Sequence, residues 1–236
     1  MQRPKSLQEI LNMQKEIYLI KGLADEDYAA FNSRIAGLIE YVTETAQPRG
    51  VTYTITDQAP PPMSIIPFSR QKIAAISVYK DHTNPANSFI DADGFYGAYR
   101  VTEALPVSFT KEWIDGQPTP GVCLLTLFSK KNNIDHPTFI DRWHNSHTPL
   151  SLRYHPLWNY NRNVVDEYLT INDAAFHGIV EEQVREKRDL LNPFRFFGNP
   201  LIIVPRMIHV YLDTKSFIDY PTMETFLAKA YIVRSK

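Results

Sequence analysis

Cysteine is nearly absent from this chain: Cys123 stands alone among 236 residues, so no disulfide can form within it. That cysteine lies in the apolar run GVCLLTLF and reads as a small buried hydrophobe. Glycine is also scarce, at nine residues, and no phosphate-binding glycine loop or dinucleotide fingerprint occurs. Charge of either sign is not in excess, with a net value of −1. No basic field is present to attract nucleic acid or an anionic membrane. No apolar run approaches the roughly 18 residues of a membrane span. The first residues, MQRPKSLQEILNMQKE, carry no apolar stretch of the kind a secretory signal needs. With a lone cysteine, a reducing cytoplasm is the expected location.

What is present is ordinary for a globular chain that buries a core. Hydrophobic residues make up 44 % and charged ones 22 %. After a polar lead with a helical pattern from Ser6 to Lys15, Glu16–Leu23 reads as a strand. Asp25–Ala46 places Tyr28, Phe31, Ile35, Leu38 and Val42 three and four apart, which is one face of an α-helix with Asp25 as its cap. Val51–Thr56, Ile73–Tyr79 and Tyr99–Phe109 read as strands. Asn84–Asp93 is turn-rich, and Pro106 bends the last strand or confines it to an edge. The segment GQPTPG, Gly116–Gly121, is the linker. The order then restarts. Val122–Ser129 is a strand, and Thr138–Tyr154 a helix capped by Asp135 or His136. Asn159–Tyr168 and Gly178–Gln183 follow as strands, and Val184–Phe197 is a helical stretch limited by Asn192-Pro193. Met207–Asp213 reads as a strand, and Met223–Val233 has no clear pattern.

Sliding the chain by about 108 residues brings Phe31 onto Phe139, Ile35 onto Trp143, Ile39 onto His147 and Val42 onto Leu150. Two β-α-β units of this kind predict an α+β fold. Its two tandem ferredoxin-like (split βαβ) repeats, 16–115 and 121–236, would have their sheets packed face to face as an internal α+β barrel. Exposed sheet edges in such a fold often pair further, so a homodimer is a possible assembly.

Pro137–Val165 concentrates the chemistry. Phe139, Trp143, His147, Leu150 and Tyr154 recur at spacings of 4, 4, 3 and 4, so His147 stands in the core row of a helix. A ring there needs a hydrogen-bond partner, since an unmade buried bond costs roughly 1–3 kcal/mol. A backbone carbonyl could supply one, leaving His147 a purely structural residue. The Ile39 register match instead suggests that the histidine serves chemistry, with one site per chain. Pro149 removes a helical hydrogen bond just past it and opens room beside the ring. His144 is expected to be exposed. The His144/His147 pair lacks the further ligands of a metal site, so no metal is expected.

On the following strand, Tyr160, Arg162 and Val164 share one face, and Asn161, Asn163 and Val165 the other. Either face could meet the cavity. Tyr160, Arg162 or Asn163 would bind an acidic or phenolic oxygen, and Trp143 would shape the pocket. His177, Glu181 and Glu182 flank HGIVEE, where one acid could orient a histidine.

The run F-x-x-x-W-x-x-x-H-x-P-L (Phe139 to Leu150), with HPLWNYNRNVV (His155 to Val165), HGIVEE and DTKSFID (Asp213–Asp219), resembles the EthD family of the dimeric α+β-barrel superfamily. The first half matches in architecture only. The resemblance implies a barrel with a small, mostly apolar cavity, and His147 as the functional residue carried over. It implies an enzyme of lyase or decarboxylase type, with no cofactor, acting on a small apolar or aromatic oxygenated molecule. The other reading is a non-catalytic ligand-binding or accessory protein.

Overall fold

The computed structural model describes residues 13–81, 89–171 and 175–236. The chain opens with β1 (Met13–Lys21), α1 (Tyr28–Ala46), β2 (Gly50–Ile55), β3 (Ile73–Asp81) and β4 (Phe95–Val107). After the linker come β5 (Val122–Phe128), α2 (His136–Asp141), a π-helical turn (Arg142–His147), α3 (Thr148–Tyr154), β6 (Leu157–Tyr168) and β7 (Gly178–Val184). Three helices follow, α4 (Lys187–Leu191), α5 (Pro193–Phe196) and α6 (Ile203–Lys215), and then β8 (Glu224–Arg234).

The eight strands form one closed antiparallel barrel in the order β1-β3-β2-β8-β5-β7-β6-β4. Within it, β4-β1-β3-β2 and β8-β5-β7-β6 repeat a single arrangement, that of a split βαβ sheet. Each half leaves two edges whose N–H and C=O groups need partners. The seams β2·β8 and β4·β6 satisfy them. The second seam slips register between Ala104 and Val107, beside Pro106, which cannot donate to a ladder.

Alternation sorts the side chains into two cores. Ile17, Leu19, Ile73, Ala75, Leu125, Ile179 and Phe226 fill the barrel interior. The opposite faces carry Tyr18, Ile20, Ala74, Ile76 and Val78, covered by α1 through Phe31, Ile35, Ile39 and Val42. Burying each of those four side chains contributes about 1.5–3 kcal/mol. Asp27, not Asp25, caps α1, accepting from the Ala30 N–H at 2.8 Å. The helix ends at Gln47, whose positive φ of 44° precedes Pro48. β3 is buried on both faces from Ile73 to Lys80, because the barrel lies on one side and α1 on the other.

Three expectations change. Met207–Asp213 belongs to a helix, α6, and not to a strand. Its Ile203, Met207, Val210 and Thr214 recur every three to four residues on the covered face, and this helical packing overrides the β-branched local sequence. The helix expected at Thr138–Tyr154 is interrupted by the π turn. The expected helix at Ser6–Lys15 falls mostly outside the described residues, and Met13–Lys15 are strand. Of the turn-rich Asn84–Asp93, residues 84–88 also lie outside the described set.

Candidate active site

The π turn follows from Pro149. Proline has no N–H, so the α-helical bond to residue 145 cannot form. The helix widens instead: the Thr148 N–H donates to the Trp143 carbonyl, five residues back, and α3 restarts with Pro149 in its first turn. Thr148 Oγ1 donates to the same carbonyl at 3.0 Å, and Arg162 Nη1 donates to Thr148 Oγ1 at 2.6 Å. Trp143 and His147 thereby lean over the outer face of β5, β7 and β6.

Between that face and the helices lies a cavity of about 710 Å³. Leu124, Thr126 and Phe128 from β5, Val180 and Glu182 from β7, and Tyr160 from β6 form its floor. Trp143, His147 and Ser151 form one wall, and Phe196, Phe197 and α6 the other. The cavity lies outside the barrel, under the helical layer, whereas the sequence led us to expect a site in the barrel interior.

His147 meets it as the middle of a hydrogen-bonded row. Its Nδ1 is 2.8 Å from Asp213 Oδ2, and its Nε2 is 3.1 Å from Ser151 Oγ. Ser146 Oγ donates to the other Asp213 oxygen. Burial works against the Asp213 charge, but hydrogen bonds from His147 and Ser146 outweigh it and hold the carboxyl below its usual range. An ionised Asp213 accepts, so the ring proton sits on Nδ1. Nε2 is then the basic atom, receiving the Ser151 hydroxyl on the cavity side.

Glu182 is the second polar feature. It pairs across the sheet with Tyr160 and Leu124, is 9 % exposed, and its carboxyl takes part in no hydrogen bond among the described residues. Burial pushes it up to about 7, with the His147 charge pulling the other way. His155 also lines the cavity. Burial lowers it to about 4, and its Nδ1 donates to the Phe196 carbonyl at 3.1 Å, so it is a neutral ring at physiological pH.

The residues expected at the site divide. Trp143, His147 and Tyr160 line one cavity. Burial, with the nearby Glu182 charge, pushes the Tyr160 phenol well above its usual range. Arg162 shares the Tyr160 face but lies behind the π turn, 5.9 Å from the Trp143 ring centre and bound to Thr148, and is not in the cavity wall. Asn163 and Glu181 face the barrel interior: Asn163 takes a bond from Lys15 at 2.8 Å, and Glu181 one from Thr54. The single-residue alternation of a strand puts both on the far side of the sheet from His147. His177 lies near Phe139 and Tyr168, where its Nδ1 bonds the Ala175 carbonyl. His144 is half-buried, not exposed, because the π turn tucks it against Trp143. Burial, with Arg162 and His136 nearby, lowers it to about 4. Asp213 and Ser151 are the site residues the sequence did not single out, and it offers Glu182 only together with Glu181. Choosing the Tyr160 face selects Glu182 over Glu181, and reading 207–213 as helix brings Asp213 to the cavity.

Among the described residues no cluster of three His, Cys, Asp or Glu side chains is placed to hold a metal ion, and no helix is long and apolar enough to cross a membrane. No family model and no curated protein matches this sequence. Solved structures do match. An anthrone oxidase-like protein aligns with a TM-score of 0.58 and 9 % identity, over 95 % of this chain and 93 % of that one. A candidate monooxygenase of Fusobacterium nucleatum aligns with a TM-score of 0.53 and 10 % identity, over 94 % and 93 %. This chain has the fold of such α+β barrel proteins.

A carboxylate-oriented histidine faces an apolar chamber that also holds a carboxyl with no partner. Such a pair can take a proton from one atom of a bound molecule and donate a hydrogen bond to another.

Proposed function

We propose that this chain is a cofactor-independent enzyme acting on a small apolar or aromatic oxygenated molecule bound in the cavity. His147, oriented by Asp213, takes a proton from a phenolic, enolic or activated C–H group, with the Ser151 hydroxyl able to relay it to Nε2. Glu182 in its protonated form donates a hydrogen bond to the oxygen on which negative charge grows, and Trp143 and Tyr160 shape the chamber. The carrying observation is the Asp213–His147 pair at 2.8 Å in the wall of a cavity of about 710 Å³. A positioned base of this kind contributes about 10²–10⁴ in rate.

The resemblance to the EthD family favours a lyase or decarboxylase outcome: on a phenolic acid, His147 takes the phenol proton, the bond from carbon to the carboxylate breaks with loss of carbon dioxide, and the proton held by His147 returns to the carbon that kept the electron pair. A second reading is oxygenation, in which His147 removes a C–H proton and the resulting carbanion is oxidised by dioxygen, one oxygen atom staying on that carbon and the other leaving as water. It is favoured by the descriptions of the two structural neighbours. Both begin with the proton transfer. We also take 16–115 and 121–236 as two copies of one unit, of which the second keeps the site.

The test is a panel of hydroxynaphthoic acids and anthrones, followed by release of carbon dioxide and by oxygen uptake. Turnover by the wild type that falls about 10²-fold or more in His147→Ala, with binding retained, supports the proposal. Carbon dioxide release selects the first outcome, and oxygen uptake the second. Tight binding with no turnover, unchanged in His147→Ala, would make the chain a ligand carrier instead.

A further inference from the structure

We infer that α6 is the contact surface of a symmetric homodimer, and that the second copy closes the mouth of the cavity. The inference concerns assembly and stands whether or not the cavity is catalytic.

Helix α6 is apolar on two faces. Its inner face, Ile203, Met207, Val210 and Thr214, is turned to the cavity and the sheet. Its outer face carries Val204, Ile208, Tyr211 and Leu212, which are 59 %, 52 %, 46 % and 59 % exposed, and Leu201 just before the helix is 88 % exposed. With 3.6 residues per turn the two faces together span roughly 200° of the helix circumference. A helix that packs on its own domain needs an apolar stripe of about 100°. The surplus calls for a second covering.

A copy of the same chain fits that covering best. Within the helix, Val204, Ile208 and Tyr211 follow spacings of 4 and 3, the seam by which one helix lies along another, and Leu201 extends the patch ahead of it. A two-fold interface must be complementary to itself. The apolar stripe meets that condition, and its one charge, Lys215 at the helix end, lies 5.2 Å from the Tyr211 ring centre. The exposed side chains of Leu201, Val204, Ile208, Tyr211 and Leu212, with Ile65, approach the roughly 800 Å² that one partner gives to a stable interface. Ile65 adjoins the helix, since Ile65, Ile208 and Tyr211 all line the cavity as well as facing out. The patch is therefore the rim of the cavity mouth, and a partner seated on it excludes water from the chamber behind.

Sedimentation velocity on the full chain at micromolar concentration tests this. The wild type is expected to have twice the mass of one chain, and Val204→Glu/Leu212→Glu the mass of one chain with an unchanged far-ultraviolet circular dichroism spectrum. In case that double variant misfolds, Ile208→Cys provides a second test. Its thiol, near the two-fold axis at the middle of the stripe, should yield a covalent dimer on mild oxidation, while buried Cys123 does not. A wild-type monomer overturns the inference, and so does a dimer unaffected by the double variant, or no cross-link from Ile208→Cys. Co-sedimentation of a monomeric wild type with phosphatidylcholine–phosphatidylglycerol vesicles would assign the face to a lipid surface instead.

Discussion

The helices that follow β1 and β5 cover equivalent strands, and only one of them leaves space beneath it. Under α1, Phe31, Ile35, Ile39 and Val42 are each 2 % exposed or less and fill the gap to the sheet. Under α2 and α3, the π turn lifts the chain, His147 takes the place in the sequence register that Ile39 holds in the other half, and a cavity of about 710 Å³ remains. The connection after β7 differs too. It supplies α4, α5 and α6 as a second wall, whereas Phe89 packs under the first half's sheet. One half of the barrel behaves as scaffold. The other gives up packing for a chamber, and the helix break caused by Pro149 is part of how it does so.

The contrast can be broken most severely in the packed half. Phe31→Ala should cost about 3–5 kcal/mol of stability in urea unfolding, because nothing there can collapse into the void. A smaller loss, on the order of 2–4 kcal/mol, is expected for Ile39→His. It places an imidazole where no Asp213 waits, so the ring loses apolar contact and lacks a partner. In the open half the largest effect depends on pH. Glu182 has a folded-state value raised to about 7 by burial, so the native protein binds the extra proton. The stability this brings is complete below the ordinary carboxylate range and is lost as pH rises through about 7. Across that window the wild type should lose on the order of 2–3 kcal/mol relative to Glu182→Gln, measured by unfolding at several pH values. Equal pH profiles would mean that Glu182 is solvated. Asp213 acts with the opposite sign, its depressed value making its contribution present at neutral pH and lost on acidification. The smallest effect belongs to His147→Ile, which copies the first half. A change within about 1 kcal/mol is expected, since Asp213 keeps Ser146, together with loss of any turnover.

The difference between the halves was partly legible in the sequence. The three-and-four spacing from Phe31 to Val42 and the alternation of the strands reflect periodic burial, and periodic burial is what a sequence displays. The register match of Ile39 with His147 picks out a residue of the cavity wall for the same reason. Asp213 and Ser151 could not be found that way. Asp213 lies 66 residues from His147 in sequence, on a helix whose Ile208, Val210 and Tyr211 resemble a strand locally. Glu181 and Glu182 are adjacent and chemically equal, and only the facing of β7 separates a barrel-interior group from a cavity group. That facing depends on which side of Tyr160 the helix lies, a tertiary fact. Arg162 shows the limit of facing alone: it shares the correct side of β6, yet Thr148 and the π turn hold it away from the chamber.

The closed barrel also bears on how the chain reaches its native state. Its seam β2·β8 pairs Val51 with Arg234, so early and late segments must meet before the ring of hydrogen bonds is complete. Such distant pairing makes the entropy of loop closure a large part of the folding barrier and slows folding. Until β8 arrives, β2 and β5 each keep an open edge, so the nascent chain passes through a stage in which it can pair with other chains, a hazard the finished barrel no longer presents.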